Sequence, residues 1–227
     1  MTPLNSYFRV SAFIEQLSSL PVLPSVLNPW RDYDPRYDAS PCAPAIRCQQ
    51  LKSYLLERID RAKLILCAEA LGFRGGRFTG IAMTSERILL DKQEKVPAHN
   101  VFIGQKTRTS LPKIFPQGSI EPTASIVWAL MLELNVNPRD FLLWNSFPCH
   151  PHKTDEGLTN RPPTAFELKA TEHVLPAFLA LAPKARLVAV GRVAERALAA
   201  LNMPYVGVRH PAMGGASAFR TRIPQLL

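Results

Sequence analysis

The sequence lacks the features of membrane proteins and of disulfide-stabilised secreted domains. No apolar run approaches the roughly 20 residues that a membrane-spanning helix needs, and the N-terminal segment does not combine a basic stretch with a long apolar core. The four cysteines among 227 residues include no Cys-x-x-Cys pair and are too few for a disulfide framework. We therefore expect a soluble, cytoplasmic protein with reduced thiols and no membrane partner.

Motifs that bind nucleotide phosphates are also absent. The segment 67–91 instead crowds Gly72, Gly75, Gly76 and Gly80 into a turn between an apolar run and a predicted helix. This spacing matches neither the Gly-x-x-x-x-Gly-Lys-[Ser/Thr] loop nor the Gly-x-Gly-x-x-Gly turn. The loop is either a place where backbone N–H groups approach an oxyanion or carbonyl oxygen, or a plain tight connection inside an α/β domain.

Positive charge is present in excess. Lysine and arginine total 27 against 18 aspartates and glutamates, a formal net charge of +9, and the basic residues are scattered rather than gathered in a tail. Such a surface most often meets nucleic acid, with an acidic membrane or plain solubility as alternatives. With 47% hydrophobic residues the chain can bury one core, so we expect a single domain over residues 1–227.

Residues 1–44 are predicted to form an amphipathic helix and an extended, proline-rich loop packed on the domain. Trp30 and Tyr33 would hold the loop to the body. The helix covers 6–18, and its apolar face consists of Phe8, Phe13, Ile14 and Leu17.

From residue 45 onward, predicted helices alternate with short apolar strands. Helices are expected at 45–62, 84–91, 121–134, 164–181 and 193–201, and strands at 62–68, 140–145, 186–190 and 205–208. This alternation predicts an α/β fold with a central four-stranded parallel sheet flanked by helices on both faces. Ligands bind outside the carboxyl ends of such strands. The residues that end or follow the four strands are Glu69, Asn145, Gly191 and His210, which should converge on one edge.

Three motif-bearing segments lie at these strand ends: Ala68-Glu-Ala-Leu-Gly with Gly76-Arg-Phe-Thr-Gly, Leu142-Leu-Trp-Asn-Ser, and Arg209-His-Pro-Ala. Together they resemble the uracil-DNA glycosylase superfamily, and in particular its iron–sulfur class. The pattern of that class runs Gly-Glu-Ala-Pro-Gly, then Gly-Arg-Pro-Phe-x-Gly, then a strand ending in Asn, then His-Pro-Ser. The similarity covers residues from about 60 to 220, and Ala68 and Leu71 depart from the first motif.

The resemblance implies a pocket for an extruded uracil. Phe78 would stack on the base, although a lone Phe after glycines is otherwise most often part of a core. Asn145 would read the imide edge through its amide, since one donor and one acceptor fit O4 and N3–H while cytosine presents the reverse. An Asn at a strand end is otherwise a turn former. Another branch of the superfamily has a Tyr at the position of Gly72 that blocks the thymine methyl group, so exclusion of thymine stays open.

The resemblance also implies how the glycosidic bond breaks. His210, together with backbone N–H groups of the glycine-rich loop, would stabilise negative charge on uracil O2. The loop residues concerned are Ala70, Leu71 and Gly72. Glu69 would orient the attacking water, or else it only braces the loop by accepting backbone N–H bonds.

The segment after His210 is expected to meet the DNA. Met213 would enter the duplex and fill the gap left by the flipped base, unless it belongs to the ordinary core. Arg209 and Arg220 are candidates for phosphate contacts, with solvated surface charge as the alternative.

The cysteines argue against the cluster of the iron–sulfur class. That class uses four cysteines, of which one pair is separated by two residues, whereas Cys42 and Cys48 are separated by five. Cys149 matches one family ligand, but Thr171 stands at the position of the last. We therefore predict no iron–sulfur cluster.

No other metal and no diffusible cofactor is expected. A zinc site from Cys149, His150 and His152 would rest on three crowded ligands beside prolines, which is weak evidence. The predicted cofactor complement is therefore none.

These observations predict a monomeric, monofunctional DNA repair enzyme that hydrolyses uracil from single- or double-stranded DNA, in a bacterial-type cytoplasm and at the nucleoid. No evident amine nucleophile supports a lyase. The alternatives are a broader glycosylase for deaminated bases such as hypoxanthine or xanthine, and a non-catalytic protein that holds uracil or abasic DNA, covalently through a histidine. A small-molecule α/β enzyme with incidental basic charge is a further alternative.

Overall fold

A parallel sheet forms the centre of the fold in the computed structural model, which describes residues 3–227. The strands are β1 (Val26–Leu27), β2 (Leu64–Ala70), β3 (Phe141–Phe147), β4 (His150–Pro151), β5 (Arg186–Val190) and β6 (Tyr205–Val208). The helices are α1 (Pro3–Ser18), α2 (Ala43–Leu56), α3 (Gly76–Thr79), α4 (Glu86–Leu89), α5 (Pro122–Glu133), α6 (Ala165–Ala170), α7 (Val174–Leu181), α8 (Arg192–Ala200) and α9 (Ala216–Arg222). None of these helices has the length and apolar character needed to cross a membrane.

The four central strands are parallel and lie in the order β3-β2-β5-β6. Every residue of β3 is buried, which requires that both faces of the sheet be covered, and its sequence is accordingly almost continuously apolar. In the register of β2 with β3, Ala68 lies opposite Asn145. The predicted α/β fold with a four-stranded parallel sheet flanked by helices is therefore confirmed.

The predicted helix over 164–181 is interrupted. α6 ends at Ala170 and α7 begins at Val174. The cause is Pro176, which has no N–H for an intrahelical bond and whose ring would clash with the carbonyl of Glu172. The start of α6 is fixed by a capping box between Thr164 and Glu167.

The apolar face of α1 differs from the predicted one. Phe8 is 61% exposed, whereas Val10 is fully buried. Val10 stands three, four and seven residues before Phe13, Ile14 and Leu17, so these four side chains share one face of the helix and Phe8 lies off it.

The proline-rich loop is held by Trp30 and not by Tyr33. The Trp30 ring stacks on Trp144 at 5.9 Å between centroids, and its Nε1–H donates to the carbonyl of Gly80 across 3.2 Å. Tyr33 is 40% exposed. β1 pairs with β4 in an antiparallel ladder, which fastens the same loop to the segment after β3.

Buried charges join this loop to the glycine-rich segment. Asp38 accepts hydrogen bonds from Arg47 of α2 and from Arg77 of α3, the latter across 3.1 Å, and all three side chains are fully buried. Arg77 also lies 3.4 Å from Asp34. Because buried charges are tolerated only when paired, this network fixes α3 against the body of the protein.

Candidate functional site

A cleft lies at the carboxyl edge of the sheet and consists of two adjoining cavities. The first, of about 800 Å³, lies beside the ends of β5 and β6 and is called the β6 cavity here. The second, of about 780 Å³, lies against the glycine-rich loop and is called the loop cavity. The residues that line both are Glu69, His210, Ala212 and Met213. The end of β2 and the segment after β6, distant in sequence, therefore meet at one cleft.

Hydrogen bonds fix the path of the chain as it leaves β2. The Ser146 hydroxyl reaches the carbonyls of Ala68 and Glu69, each across 3.0 Å. The N–H of Leu71 donates to the carbonyl of Cys149 across 3.3 Å, so it is not free to bind a ligand. The N–H of Gly72, a residue that lines the loop cavity, has no protein partner within residues 3–227. Of the predicted loop donors, Gly72 is the one that this geometry leaves available.

The glycines of the loop make room for a carboxyl group that the sequence analysis did not single out. A Cβ atom at Gly75 would lie 1.7 Å from Oε2 of Glu121, and one at Gly72 would lie 3.4 Å from Oε1. Glu121 also lines the loop cavity. What the backbone approaches closely at these two glycines is therefore the side chain of Glu121.

Asn145 and Phe78 are buried and line neither cavity. Asn145 is 2% exposed, and its Oδ1 has no hydrogen-bond partner among the described residues. Such an orphaned buried acceptor is energetically unfavourable and is characteristic of a position that awaits a ligand or water. Phe78 is fully buried, with its ring 5.2 Å from that of Phe115 and the Arg77 guanidinium 4.3 Å from its centroid. In this structure Phe78 is therefore a core residue that does not reach the cleft.

His210 is held in one tautomer. The backbone N–H of Ala212 donates to its Nδ1 across 3.1 Å, so Nδ1 carries the lone pair and the neutral ring bears its proton on Nε2. Burial lowers the pKa of His210 from its ordinary value, which favours the neutral ring. The cleft therefore contains a neutral imidazole that can donate a hydrogen bond through Nε2–H.

Glu69 is half-buried and faces both cavities. Among the described residues its carboxylate accepts no hydrogen bond, so it does not brace the loop in the way considered above. Burial raises its pKa, opposed by the positive charge of Arg196. The raised pKa makes Glu69 a better proton acceptor once it is ionised.

The segment after His210 forms an exposed tip. Met213 is 94% exposed with a φ of +53°, so it is not a core residue. Arg209 lines the β6 cavity, and its Nη2 lies 3.4 Å from the carbonyl of Met213. Arg220 lies outside both cavities and forms an ion pair with Glu133 on the surface.

The cysteines of this chain do not fit an iron–sulfur cluster. Cys42 is exposed and Cys48 is half-buried, whereas Cys67 and Cys149 are buried. Thr171, at the position of the last family ligand, is buried and donates to the carbonyl of Glu167 across 3.1 Å. Both ring nitrogens of His150 face backbone carbonyls. In the part of the chain that the structure describes, no three His, Cys, Asp or Glu side chains are grouped to hold a metal ion.

The loop cavity is also lined by residues that the sequence analysis did not single out as site residues, among them Phe73, Glu121 and Asn160. Asn160 accepts a hydrogen bond from the N–H of Phe73 across 3.0 Å and so closes the far side of the loop. The motif Asn-Arg-x-Pro around Asn160 was visible in the sequence. For Glu121, the sequence showed only that it precedes a predicted helix, and nothing in the sequence indicated a role in the site.

No protein-family model and no curated protein matches this sequence. Among solved structures, the chain is similar to wild-type SMUG2 from Pedobacter heparinus, with a TM-score of 0.60 over 96% of this chain and 92% of that chain. The two sequences are 14% identical. At this identity the similarity shows a shared fold.

Proposed function

We propose that the protein is a DNA glycosylase that extrudes uracil from DNA and hydrolyses its glycosidic bond, leaving an abasic site. The observation that carries the proposal is the meeting of Glu69 and His210 at one cleft, with the buried, unpaired Oδ1 of Asn145 on the strand next to β2. The fold shared with Pedobacter heparinus SMUG2 and the net charge of +9 support a DNA substrate.

Base recognition is assigned to Asn145. Its Oδ1 accepts N3–H of uracil and its Nδ2 donates to O4, which satisfies the acceptor that is otherwise unpaired. Cytosine presents a ring acceptor and an amino donor at these positions, so the same amide orientation rejects it.

Bond cleavage is assigned to His210 and Glu69. As the base departs, negative charge develops on O2, and Nε2–H of the neutral His210 together with the N–H of Gly72 donates to that oxygen. Glu69, ionised, accepts a hydrogen bond from the attacking water and takes up its proton as the C1′–O bond forms. A donor at the oxyanion contributes about 10²–10³ in rate in comparable sites.

DNA binding is assigned to the cleft rim. Met213 fills the space that the extruded base vacates, and Arg209 contacts a flanking phosphate. Arg220, already paired with Glu133, contributes a phosphate contact if that exposed pair opens. The proposal includes a monomer acting in the cytoplasm at the nucleoid, without metal or cofactor.

The test is cleavage of labelled oligonucleotides that carry one uracil, single-stranded or paired with G or A, after alkali treatment. We expect uracil-dependent strand breaks for the wild type and a loss of at least about 10²-fold for Asn145→Ala and for His210→Ala. Asn5→Ala, on the exposed side of α1, is the matched control and should retain full activity. Absence of breaks from every uracil substrate would overturn the hydrolase, and tight binding without release would then favour the damage-binding alternative.

A further inference from the structure

The carboxyl group of Glu121 has no structural role that its surroundings explain. Glu121 is the residue immediately before α5, where an acidic side chain usually accepts a hydrogen bond from the first turn, yet its side chain makes no capping bond. Oε2 is fully enclosed and has no hydrogen-bond partner among the described residues. The carboxyl group is turned away from the helix and toward the loop cavity.

The glycine-rich loop admits this carboxyl group through the absence of a side chain at Gly75, where a Cβ atom would lie 1.7 Å from Oε2. Oε1 is the oxygen on the side of Gly72, which lines the loop cavity, and it too has no protein partner. Oε2 is desolvated and has no partner among the described residues, whereas Oε1 is the oxygen that a ligand in the loop cavity can reach.

The charge state of Glu121 follows from its environment. Burial raises the pKa of Glu121 to about 7, with no opposing charge to lower it. The other titratable groups on the walls of the loop cavity are Glu69, Arg74, Arg161 and His210. Arg161 is committed to Glu167 through two hydrogen bonds. Below about pH 7 the carboxyl group of Glu121 is mostly neutral, and it then offers one O–H donor and one acceptor.

We propose that Glu121 is a substrate-contacting residue of the cleft, which as a neutral carboxylic acid donates a hydrogen bond to an acceptor atom of the extruded deaminated base. The inference rests on the proposed function. A deaminated base offers carbonyl oxygens that can accept a hydrogen bond from this O–H donor. Ionisation of Glu121 removes the donor and places a negative charge against the base. This weakens binding of the base and slows cleavage of its glycosidic bond.

The experiment measures kcat/KM for uracil excision by the wild type, Glu121→Gln and Glu121→Ala across neutral pH. For the wild type we expect the rate to fall about tenfold per pH unit once Glu121 ionises. Glu121→Gln keeps a neutral donor. Its kcat/KM should therefore stay within a few-fold of the wild-type value below the pKa of Glu121 and should not decline above it. Glu121→Ala should be at least about tenfold slower at low pH and also lack the decline. A wild-type rate and pH profile in Glu121→Ala would overturn the proposal. A purely structural role for Glu121 would not produce an alkaline decline in kcat/KM that Glu121→Gln removes.

Infrared difference spectroscopy separates this proposal from the proposed function. The neutral acid is reported by the carbonyl stretch of a protonated carboxyl group, and this band should be absent from Glu121→Gln. In the wild type the band should shift when an oligonucleotide containing uracil is added, and it should not shift when the thymine counterpart is added. If no uracil is excised yet the band shifts, the hydrolase fails and the contact stands. If uracil is excised and the band is unmoved or missing, the contact fails and the hydrolase stands.

Discussion

The backbone N–H of Ala212 donates to Nδ1 of His210 and leaves the proton of the neutral ring on Nε2, facing the cleft. Protonation of Nδ1 would place two donors against each other, so the imidazolium is disfavoured by this contact as well as by burial. We predict that uracil excision is lost as pH falls through the pKa of His210, which lies below its ordinary value of 6.5, because a proton on Nδ1 breaks the hydrogen bond from Ala212 that holds the ring in place.

The measurement for His210 is the histidine-selective ¹H–¹⁵N spectrum of the free protein, recorded through a pH titration with His210→Gln as the assignment control. The expected spectrum at neutral pH is that of the Nε2–H tautomer. An Nδ1–H signal, or a charged ring at neutral pH, would contradict the prediction.

Glu121 should make stability depend on pH. Its pKa is about 7 in the folded protein and 4.5 ordinarily, so the fold favours the neutral form. The stabilisation is complete below about pH 4.5 and is lost as pH rises through about 7, by at most on the order of 3 kcal/mol. His150, whose pKa burial lowers to about 4, acts in the opposite direction below pH 6.5. The difference in the free energy of unfolding between wild type and Glu121→Gln therefore reports the contribution of Glu121. Urea unfolding at about pH 5 and about pH 8 measures this difference. Equal differences at the two pH values would refute the assignment.

Met213 should matter for duplex substrates and not for folding. Its side chain is 94% exposed, so Met213→Ala removes almost no buried area and should leave the free energy of unfolding unchanged. If the side chain fills the gap left by the base, Met213→Ala should slow excision from duplex DNA about tenfold and excision from single strands little. The comparison of kcat/KM on the two substrates tests this, with Met203→Ala, a partly exposed methionine outside the cleft, as the matched control. Equal losses on both substrates would exclude the wedge.

Asp38 should be essential for stability, because it neutralises Arg47 and Arg77 inside the protein. Asp38→Ala leaves two buried guanidinium groups without a shared counter-ion and should destabilise the fold by about 3–5 kcal/mol. The control is Glu133→Ala, which removes the exposed partner of Arg220 and should cost at most about 1 kcal/mol. Similar midpoints of unfolding for the two variants would show that the buried ion-pair network contributes no more to stability than the exposed ion pair does.

The sheet was predictable because its signals are local. The apolar runs at 186–190 and 205–208 give strands with the predicted bounds, and α5 and α8 lie within one residue or so of the predicted helices. The break at Pro176 was visible in the sequence and outweighs the apolar periodicity that favoured one helix over 164–181. Phe8 was wrongly assigned to the buried face of α1. Val10 shares that face with Phe13, Ile14 and Leu17, and Phe8 does not.

The ends of the parallel strands could be placed together from sequence, because parallel topology brings all carboxyl ends to one edge, and Glu69 and His210 do share the cleft there. Only the tertiary structure decided which groups are desolvated. The enclosed carboxyl of Glu121, the buried amide of Asn145, the paired charges of Arg77 and the exposed tip at Met213 depend on residues remote in the chain. Secondary structure follows from periodicity over a few residues, whereas desolvation, and with it proton affinity and the choice of free hydrogen-bonding groups, is set by everything that packs around a side chain.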